Sequence, residues 1–388
     1  MSPADKPQKR RRGHGEGYIG QYKDGRWVAR VDLGIVEGKR KRKAIYGKTR
    51  KEVADKLKQL LHQQGQGVNV APERQTLGTF LDKWLSDIVS QTRRPTTLEI
   101  YQYAVKRITK HIGHIQLAKL TPQHVQALLT ALAADGYSPT TIDRARDVLI
   151  NALNQAMAWE VASRNVAKQA TPPKVEPYQP RVLSQQEAQR LLATATGDRL
   201  EALYRVGLSL GLRRGEVLGL RWEDVDLAAG TLRITHNLQL IGGKLQLVAP
   251  KTKESRRTLS LSPRLIAALR EHKARQMQEQ LIEGPNWKDH GLVFCTSVGT
   301  PIAPRNLLRS YKALLKRAEL PDMRFHDLRH SFVTLLLAQG ESLKVVQELA
   351  GHSDPRITQQ IYQHVTNDQK RQAVARMDAL LDVQDEAI

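Results

Sequence analysis

Gly211-Leu212-Arg213-Arg214-Gly215-Glu216-Val217-Leu218-Gly219-Leu220 is the stretch on which the chain turns. Two adjacent guanidinium side chains sit between glycines, and a carboxylate follows Arg213 by three residues. Further on lies His326-Asp327-Leu328-Arg329-His330, where His326 and Arg329 are three apart and share one face if the segment is helical. An imidazole beside a guanidinium suits an anionic phosphate oxygen. A third segment, Leu349-Ala350-Gly351-His352, is followed ten residues later by Tyr362. Each piece has an ordinary reading on its own. Gly-Leu-Arg-Arg-Gly-Glu can be a simple turn, the His326/Arg329 pair an exposed helix face ion-paired to Asp327, and Gly351-His352 a helix cap. Tyr362 can be a half-buried packing residue. Their occurrence together and in order is what carries information.

With these residues in view, the chain resembles the tyrosine recombinases, the phage integrase family. That family's pattern is an Arg in a Gly-x-Arg-x-x-Glu turn, a hairpin Lys, a His-x-x-Arg helix, a Gly-His and a Tyr shortly after. The resemblance implies that Arg213 is the first catalytic arginine, with Arg214 the competing candidate read as a surface residue. Glu216 resembles the acidic residue that supports the site. Lys251, in Pro250-Lys251-Thr252-Lys253, resembles the hairpin lysine, with Lys253 as runner-up because hairpin register is hard to fix. His326 and Arg329 match the His-x-x-Arg pair, His352 the position held by His or Trp in relatives, and Tyr362 the nucleophile.

The chemistry agrees with the residue types. In-line attack on a phosphodiester spreads charge over the non-bridging oxygens, which fork-shaped arginine donors can hold. Such a cluster can replace the metal of many nucleases. No paired-carboxylate metal site accompanies the motifs, and neither a metal nor a cofactor is expected. A tyrosine needs help losing its proton, which nearby cations and a base such as His326 supply. Lys251 would protonate the leaving 5′-oxygen. A covalent 3′-phosphotyrosine keeps the linkage energy, so no ATP is needed.

Outward from these motifs, the organisation reads as three domains. The 388 residues exceed one ordinary core. The net charge of +22 favours a polyanion partner. No apolar run nears the ~20 residues of a spanning helix, and no signal peptide follows the basic N-terminus. Cys295 is the single cysteine, so no internal disulfide forms; it reads as a core filler in a reducing cytoplasm. Residues 1–64 hold 18 Lys/Arg against 7 Asp/Glu, half of the surplus charge in a sixth of the chain.

After a basic tail, two alternating segments flank Lys23-Asp24-Gly25, a hairpin signal. A third strand runs from about Lys39 to Tyr46, and Thr49 with Glu52 forms a capping box for a helix reaching about Leu61. This 1–65 unit, three strands and a helix, resembles an arm-type DNA-binding domain. Tyr18, Gln21, Arg26, Arg30, Lys41 and Lys43 are its candidate DNA contacts. The basic run at Lys39–Lys43 can equally be a solvated strand edge.

Residues 63–75 read as a linker. Helices are expected over 77–90, 96–111, 122–135 and 139–159, an all-α region over 76–172 that resembles the core-binding (SAM-like) domain of that family. Pro-rich residues 171–180 form a second linker. The catalytic domain, 180–388, is mainly α with a small antiparallel sheet. Ser184 and Glu187 cap its first helix, strands lie near 231–235, 245–249 and 257–261, Gly242-Gly243 makes a hairpin turn, and helices dominate from about 304. Trp27 and Trp84 read as core anchors, as does Trp159, and Val333, Leu336 and Leu337 as a core stripe. His14, His62, His111 and His114 read as surface residues. Val374, Met377 and Leu381 mark an apolar stripe at helical spacing in the tail.

The fold class is therefore multidomain α+β, and the function expected is site-specific integration and excision of a phage or other mobile element. The resemblance implies double-stranded DNA as partner at arm-type and core-type sites, a homotetramer on DNA, and an accessory DNA-bending protein and excisionase. No membrane partner is expected. The setting is the cytoplasm of a bacterial host, nucleoid-associated. Two rival readings stay open. One is a non-catalytic DNA-binding regulator derived from an integrase, which would fail to nick a suicide substrate. The other is a type IB topoisomerase-like enzyme, which would relax plasmids lacking any target site.

Overall fold

The computed structural model describes residues 18–21, 25–36, 39–65, 75–250, 255–351 and 377. The chain divides into two compact units, Met1–Glu176 and Pro177–Ile388.

In the first unit, β1 (Tyr18–Gln21), β2 (Trp27–Val36) and β3 (Lys39–Gly47) form an antiparallel sheet in the order β1-β2-β3. Gly25, at φ +86°, follows the Asp24 position expected of the hairpin. The pairing shifts register between Asp32 and Ile35, a bulge in β2. α1 (Arg50–Gly65) begins where Thr49 accepts the Glu52 amide, but the Glu52 carboxylate reaches back to the Lys48 amide and not to Thr49. The helix extends four residues beyond the expected end, into the stretch read as linker. Its Val53 and Leu57 pack on Ala29, with Ile19, Trp27 and Ile45 around them. Five apolar contacts and one alanine make a small core, which suits a module of this size.

The helical part follows as α2 (Leu77–Trp84), a π-helical turn (Leu85–Val89) and α3 (Ser90–Thr92). Next come α4 (Pro95–Ile112), α5 (Pro122–Ala134) and α6 (Pro139–Ala158). Pro95, Pro122 and Pro139 occupy first-turn positions, where a missing amide costs nothing. Thr121 and Ser138 cap the last two helices. Phe80, Ile108, Leu128, Leu132 and Leu149 centre the core, with Trp84 buried in it and Trp159 packed against it. His114 is exposed as expected, whereas His111 is half-buried and contacts Asp135 at 3.0 Å. His14 lies outside the described residues, as does the side chain of His62.

The second unit opens with α7 (Gln185–Thr194), capped by the reciprocal Ser184–Glu187 box read in the sequence. α8 (Glu201–Ser209) and the short α9 (Arg214–Leu218) follow. The expected single sheet is two. β4 (Val225–Asp226), β5 (Thr231–Arg233) and β8 (Thr258–Ser260) form one. β6 (Asn237–Ile241) and β7 (Lys244–Val248) form a separate hairpin around Gly242 and Gly243, both at positive φ. β6 is the first arm of the hairpin expected at Gly242-Gly243, and its range was not among the expected strands.

α10 (Pro263–Glu283) lies in a region where no helix was expected. Its buried stripe is Leu265, Leu269, His272 and Gln276, so the apolar periodicity fades after two residues. Gln276 there donates to the Leu292 and Val293 carbonyls and to Cys295 Sγ, which is buried as expected. α11 (Pro304–Arg317), α12 (Asp327–Ala338) and α13 (Leu343–Ala350) complete the unit. Its main core runs from Leu183 to Leu328. Phe332, Val333, Leu337, Val346 and Ala350 form a second, smaller cluster, with Leu336 packed against it. The tail stripe lies outside the described residues, apart from Met377, which is exposed. Among the described residues no helix is long and apolar enough to cross a membrane.

Candidate active site

The Gly211–Leu220 stretch is a strand-free turn that starts α9. Gly211 sits at φ +58°, and a Cβ there would lie 2.3 Å from Phe332. Only glycine allows α12 to approach this closely. Its carbonyl accepts Arg329 Nη1 at 2.8 Å. Arg213 is the residue before α9. Its amide donates to Glu216 Oε2 at 3.0 Å, and its Nη1 to Glu216 Oε1 at 2.7 Å. Its Nη2 donates to the Gly351 carbonyl at 2.9 Å. Arg214 is exposed, consistent with a surface role.

Gly351 ends α13 in the left-handed conformation, φ 66°, which glycine adopts without steric penalty. One turn therefore brings together residues 211, 213, 216, 329 and 351, drawn from separate motifs. Glycines hold the hairpin as close. A Cβ on Gly215 would meet Asn237 Oδ1 at 1.7 Å, so α9 lies directly on β6.

The electrostatics fit an anion. Arg329 is 2% exposed. Burial, and then the charge of Arg213, brings its pKa down to about 9, so it stays protonated at neutral pH. A phosphate entering between two such cations relieves their repulsion. Burial works to raise the Glu216 carboxyl, but Arg257 and Arg213 outweigh it and hold the pKa below the usual carboxylate value. His326 precedes α12 and is exposed. Desolvation, then the charges of His330, Arg329 and Arg213, lowers its pKa to about 4. Its imidazole is thus neutral at pH 7, the form that can accept a proton. His330, whose ring lies 5.2 Å from that of His326, is likewise lowered, first by burial.

Lys251, Lys253, His352 and Tyr362 lie outside the described residues. Two other tyrosines of this unit, Tyr204 and Tyr311, are fully buried, with ring centroids 6.1 Å apart, and burial raises both pKa values. Neither can reach a DNA phosphate. In the N-terminal sheet, Tyr18 pairs with Arg30 and Lys43 with Val31. Arg26 and Arg30 are exposed, while Gln21 donates to the Gly25 carbonyl and so also closes its own turn. The side chains of Tyr18, Lys41 and Lys43 lie outside the described set.

Sequence reading missed Arg257. It donates to Glu216 Oε2 at 3.3 Å and to the Leu349 carbonyl at 2.9 Å. The sequence carries a weak signal for it: Arg257 stands two residues before Leu259, the buried residue of β8, and so falls on the same side of the chain. It also missed Tyr178, whose hydroxyl donates to the buried Asp327, and whose ring lies 3.4 Å beneath the Arg324 guanidinium.

Arg213, held by Glu216, and Arg329, held by the Gly211 carbonyl, meet at one turn in an arrangement suited to an anionic phosphodiester. The Phage integrase family model matches residues 181–369, and the family's N-terminal SAM-like domain model matches 76–133. A tyrosine recombinase XerC-like protein of Caldanaerobacter subterraneus subsp. tengcongensis is 32% identical over 381 residues, covering 92% of this chain and 97% of its own. The fold is similar to that of the Tn1549 transposon integrase in complex with transposon right end DNA. There the TM-score is 0.65 at 20% identity, over 78% of this chain and 99% of that one. It is also similar to that of a lambda integrase tetramer bound to a Holliday junction, with TM-score 0.55, 18% identity, and 90% and 96% coverage. The chain belongs to the phage integrase family and is a site-specific tyrosine recombinase, an integrase of a phage or other mobile element.

Proposed function

We propose that this recombinase cuts DNA with Tyr362 while Arg213 and Arg329 hold the non-bridging oxygens of the scissile phosphate. The observation that carries the reading is the meeting of both arginines at one turn. Arg329 binds the Gly211 carbonyl, and Arg213 binds the carbonyl of Gly351, the residue before His352. The Tyr362 oxygen attacks phosphorus and forms the 3′-phosphotyrosine bond as the bond to the 5′-oxygen breaks. The phenolic proton passes to the neutral His326, and Lys251 gives a proton to the leaving 5′-oxygen. His352 adds a hydrogen bond to the phosphate, and Glu216 keeps Arg213 aimed. The reverse attack by a 5′-hydroxyl of the partner strand restores the backbone.

In this reading residues 76–172 and 180–388 grip a core site, and residues 1–65 bind a separate arm-type site. Tyr18, Gln21, Arg26, Arg30, Lys41 and Lys43 supply contacts there. A β-sheet can enter the major groove in this way. The working unit is a homotetramer on two DNA duplexes, in line with the tetramer of lambda integrase on its junction. It acts in the bacterial cytoplasm with an accessory DNA-bending protein and an excisionase.

The test is a suicide duplex carrying the element's core site. Tyr362→Phe keeps DNA binding and loses the covalent adduct. A Tyr362→Phe protein that still traps DNA overturns the assignment. For Lys251→Ala, cleavage is slow on ordinary DNA and is recovered with a 5′-bridging phosphorothiolate, whose sulfur leaves without a proton. Recovery in Lys253→Ala alone moves the general acid by two residues.

A further inference from the structure

We infer that Arg257 is a positioning residue for strand cleavage, fixing the turn that leads into His352 against the carboxylate that also holds Arg213. The inference rests on the phosphate roles of Arg213 and His352 given above. Arg257 stands just before β8, and its side chain is 8% exposed. Its Nε donates to the Leu349 carbonyl at 2.9 Å, its Nη2 to Glu216 Oε2 at 3.3 Å, and its Nη1 to the Ser255 carbonyl at 3.3 Å.

The two far partners belong to different elements. Leu349 lies in the last turn of α13, whose carbonyls have no partner within the helix. Glu216 lies in α9 and is 3% exposed. Glu216 uses its other oxygen for Arg213 Nη1, and Arg213 Nη2 returns to the Gly351 carbonyl. The contacts therefore close a ring: Leu349 to Arg257 to Glu216 to Arg213 to Gly351, two residues from where it began. The Gly351 turn is thus held twice, by Arg213 directly and by Arg257 through Leu349.

The ring needs arginine in particular. A guanidinium offers donors in two fixed directions, and the Nε and Nη2 of Arg257 point at acceptors on separate elements. An ammonium on a flexible stem can neutralise Glu216 but cannot hold both acceptors in a fixed relation. Burial lowers the Arg257 pKa, and the Glu216 charge opposes that loss. Arg257 does not take the place of Arg213 or Arg329 at the phosphate in this scheme. It acts through the residues it holds.

The experiment is an epistasis test in the full-length protein. Arg257→Lys and Arg257→Gln are made alone and in a His352→Ala background. Single-turnover cleavage of a suicide duplex carrying the element's core site is measured beside affinity for the same DNA. Arg257→Lys alone should slow cleavage by ~10-fold or more while affinity stays within about 2-fold. In the His352→Ala background the same change should cost less than about 3-fold, because the group being positioned is already gone. Arg257→Gln gives the same comparison if the lysine protein does not fold. Equal losses in both backgrounds, or no loss in either, overturn the inference. If His352→Ala alone leaves cleavage unchanged, the role of His352 fails first, and the inference falls with it in a recognisably different pattern.

Discussion

The Tyr178 hydroxyl donates to Asp327 Oδ2 at 2.5 Å, joining the second residue of the C-terminal unit to the first residue of α12. Asp327 is fully buried and also accepts the Arg324 amide. Five residues on, the Leu183 amide donates to Ser331 Oγ in the same helix. The segment from Tyr178 to Leu183 is thus stitched to the helix that carries Arg329. Tyr178→Phe removes one donor from a buried carboxylate and should lower stability by about 1–3 kcal/mol. Urea denaturation of the two proteins measures it. An unchanged midpoint would show that the bond contributes nothing.

Tyr204 and Tyr311 provide the control for the nucleophile. Both hydroxyls are buried without a hydrogen-bond partner. Tyr204→Phe and Tyr311→Phe should therefore keep adduct formation and hold or raise stability, by about 1 kcal/mol at most, as an unsatisfied hydroxyl leaves the core. Loss of the adduct in either variant, with the fold intact by circular dichroism, would count against Tyr362.

The paired arginines should matter more to rate than to affinity. Arg213→Ala or Arg329→Ala should each slow cleavage by on the order of 10²-fold, the loss typical of one oxyanion donor. Binding should change far less, because many other cations contact the DNA. Gel-shift and single-turnover measurements on the same duplex separate the two. A fall in affinity that matches the fall in rate would make these residues binders only.

His326 has a folded pKa of about 4, well below the ordinary imidazole value of 6.5, and His330 is lowered too. Below pH 6.5 the unfolded chain binds protons that the folded chain refuses. The contribution to stability is therefore complete above pH 6.5 and is lost as pH falls towards 4. His326→Gln should lose less Tm than the parent between pH 7 and pH 4.5, with the two proteins close at pH 7. Parallel Tm curves would mean that His326 titrates normally.

The basic N-terminal segment makes a salt-dependent prediction. Deleting residues 1–64 removes a surplus of 11 positive charges. The full-length protein should show the steeper fall of log K with log salt, since it neutralises more phosphates. Core-site cleavage should survive the deletion. Equal slopes would show that the segment does not touch DNA.

The helical domain was the easiest part to read in the sequence. Pro122 after Thr121 and Pro139 after Ser138 mark helix starts by local chemistry alone, and the structure begins helices at both. α10 was hidden because its inward face includes His272 and Gln276, whose polar atoms are satisfied by Trp222 and by the 292–295 segment, both distant in sequence. The division of the β region into two sheets depends on which strand β8 joins, a long-range pairing with no local mark. At the site, the family motifs named Arg213, Glu216 and Arg329 one by one. That Arg213 and Arg257 reach the end of α13 follows from contacts across 138 and 92 residues, which no local pattern encodes.

The small cluster of Phe332, Val333, Leu337, Val346 and Ala350 stands apart from the main core. α12 belongs to both, through Leu328 on one side and Phe332 and Val333 on the other, and α13 touches both as well, since Val346 and Ala350 sit in the small cluster and Leu349 packs against the main one. Opening α13 would break the guanidinium–carbonyl bonds from Arg213 and Arg257, whereas the Arg329 bond to Gly211 does not involve that helix. In hydrogen-exchange terms α13, whose fully buried residues all belong to the small cluster, is expected to open before α12. Such an opening would release Arg213 from Gly351 and leave Arg329 on Gly211, so the two arginines of the proposed grip are held with unequal firmness.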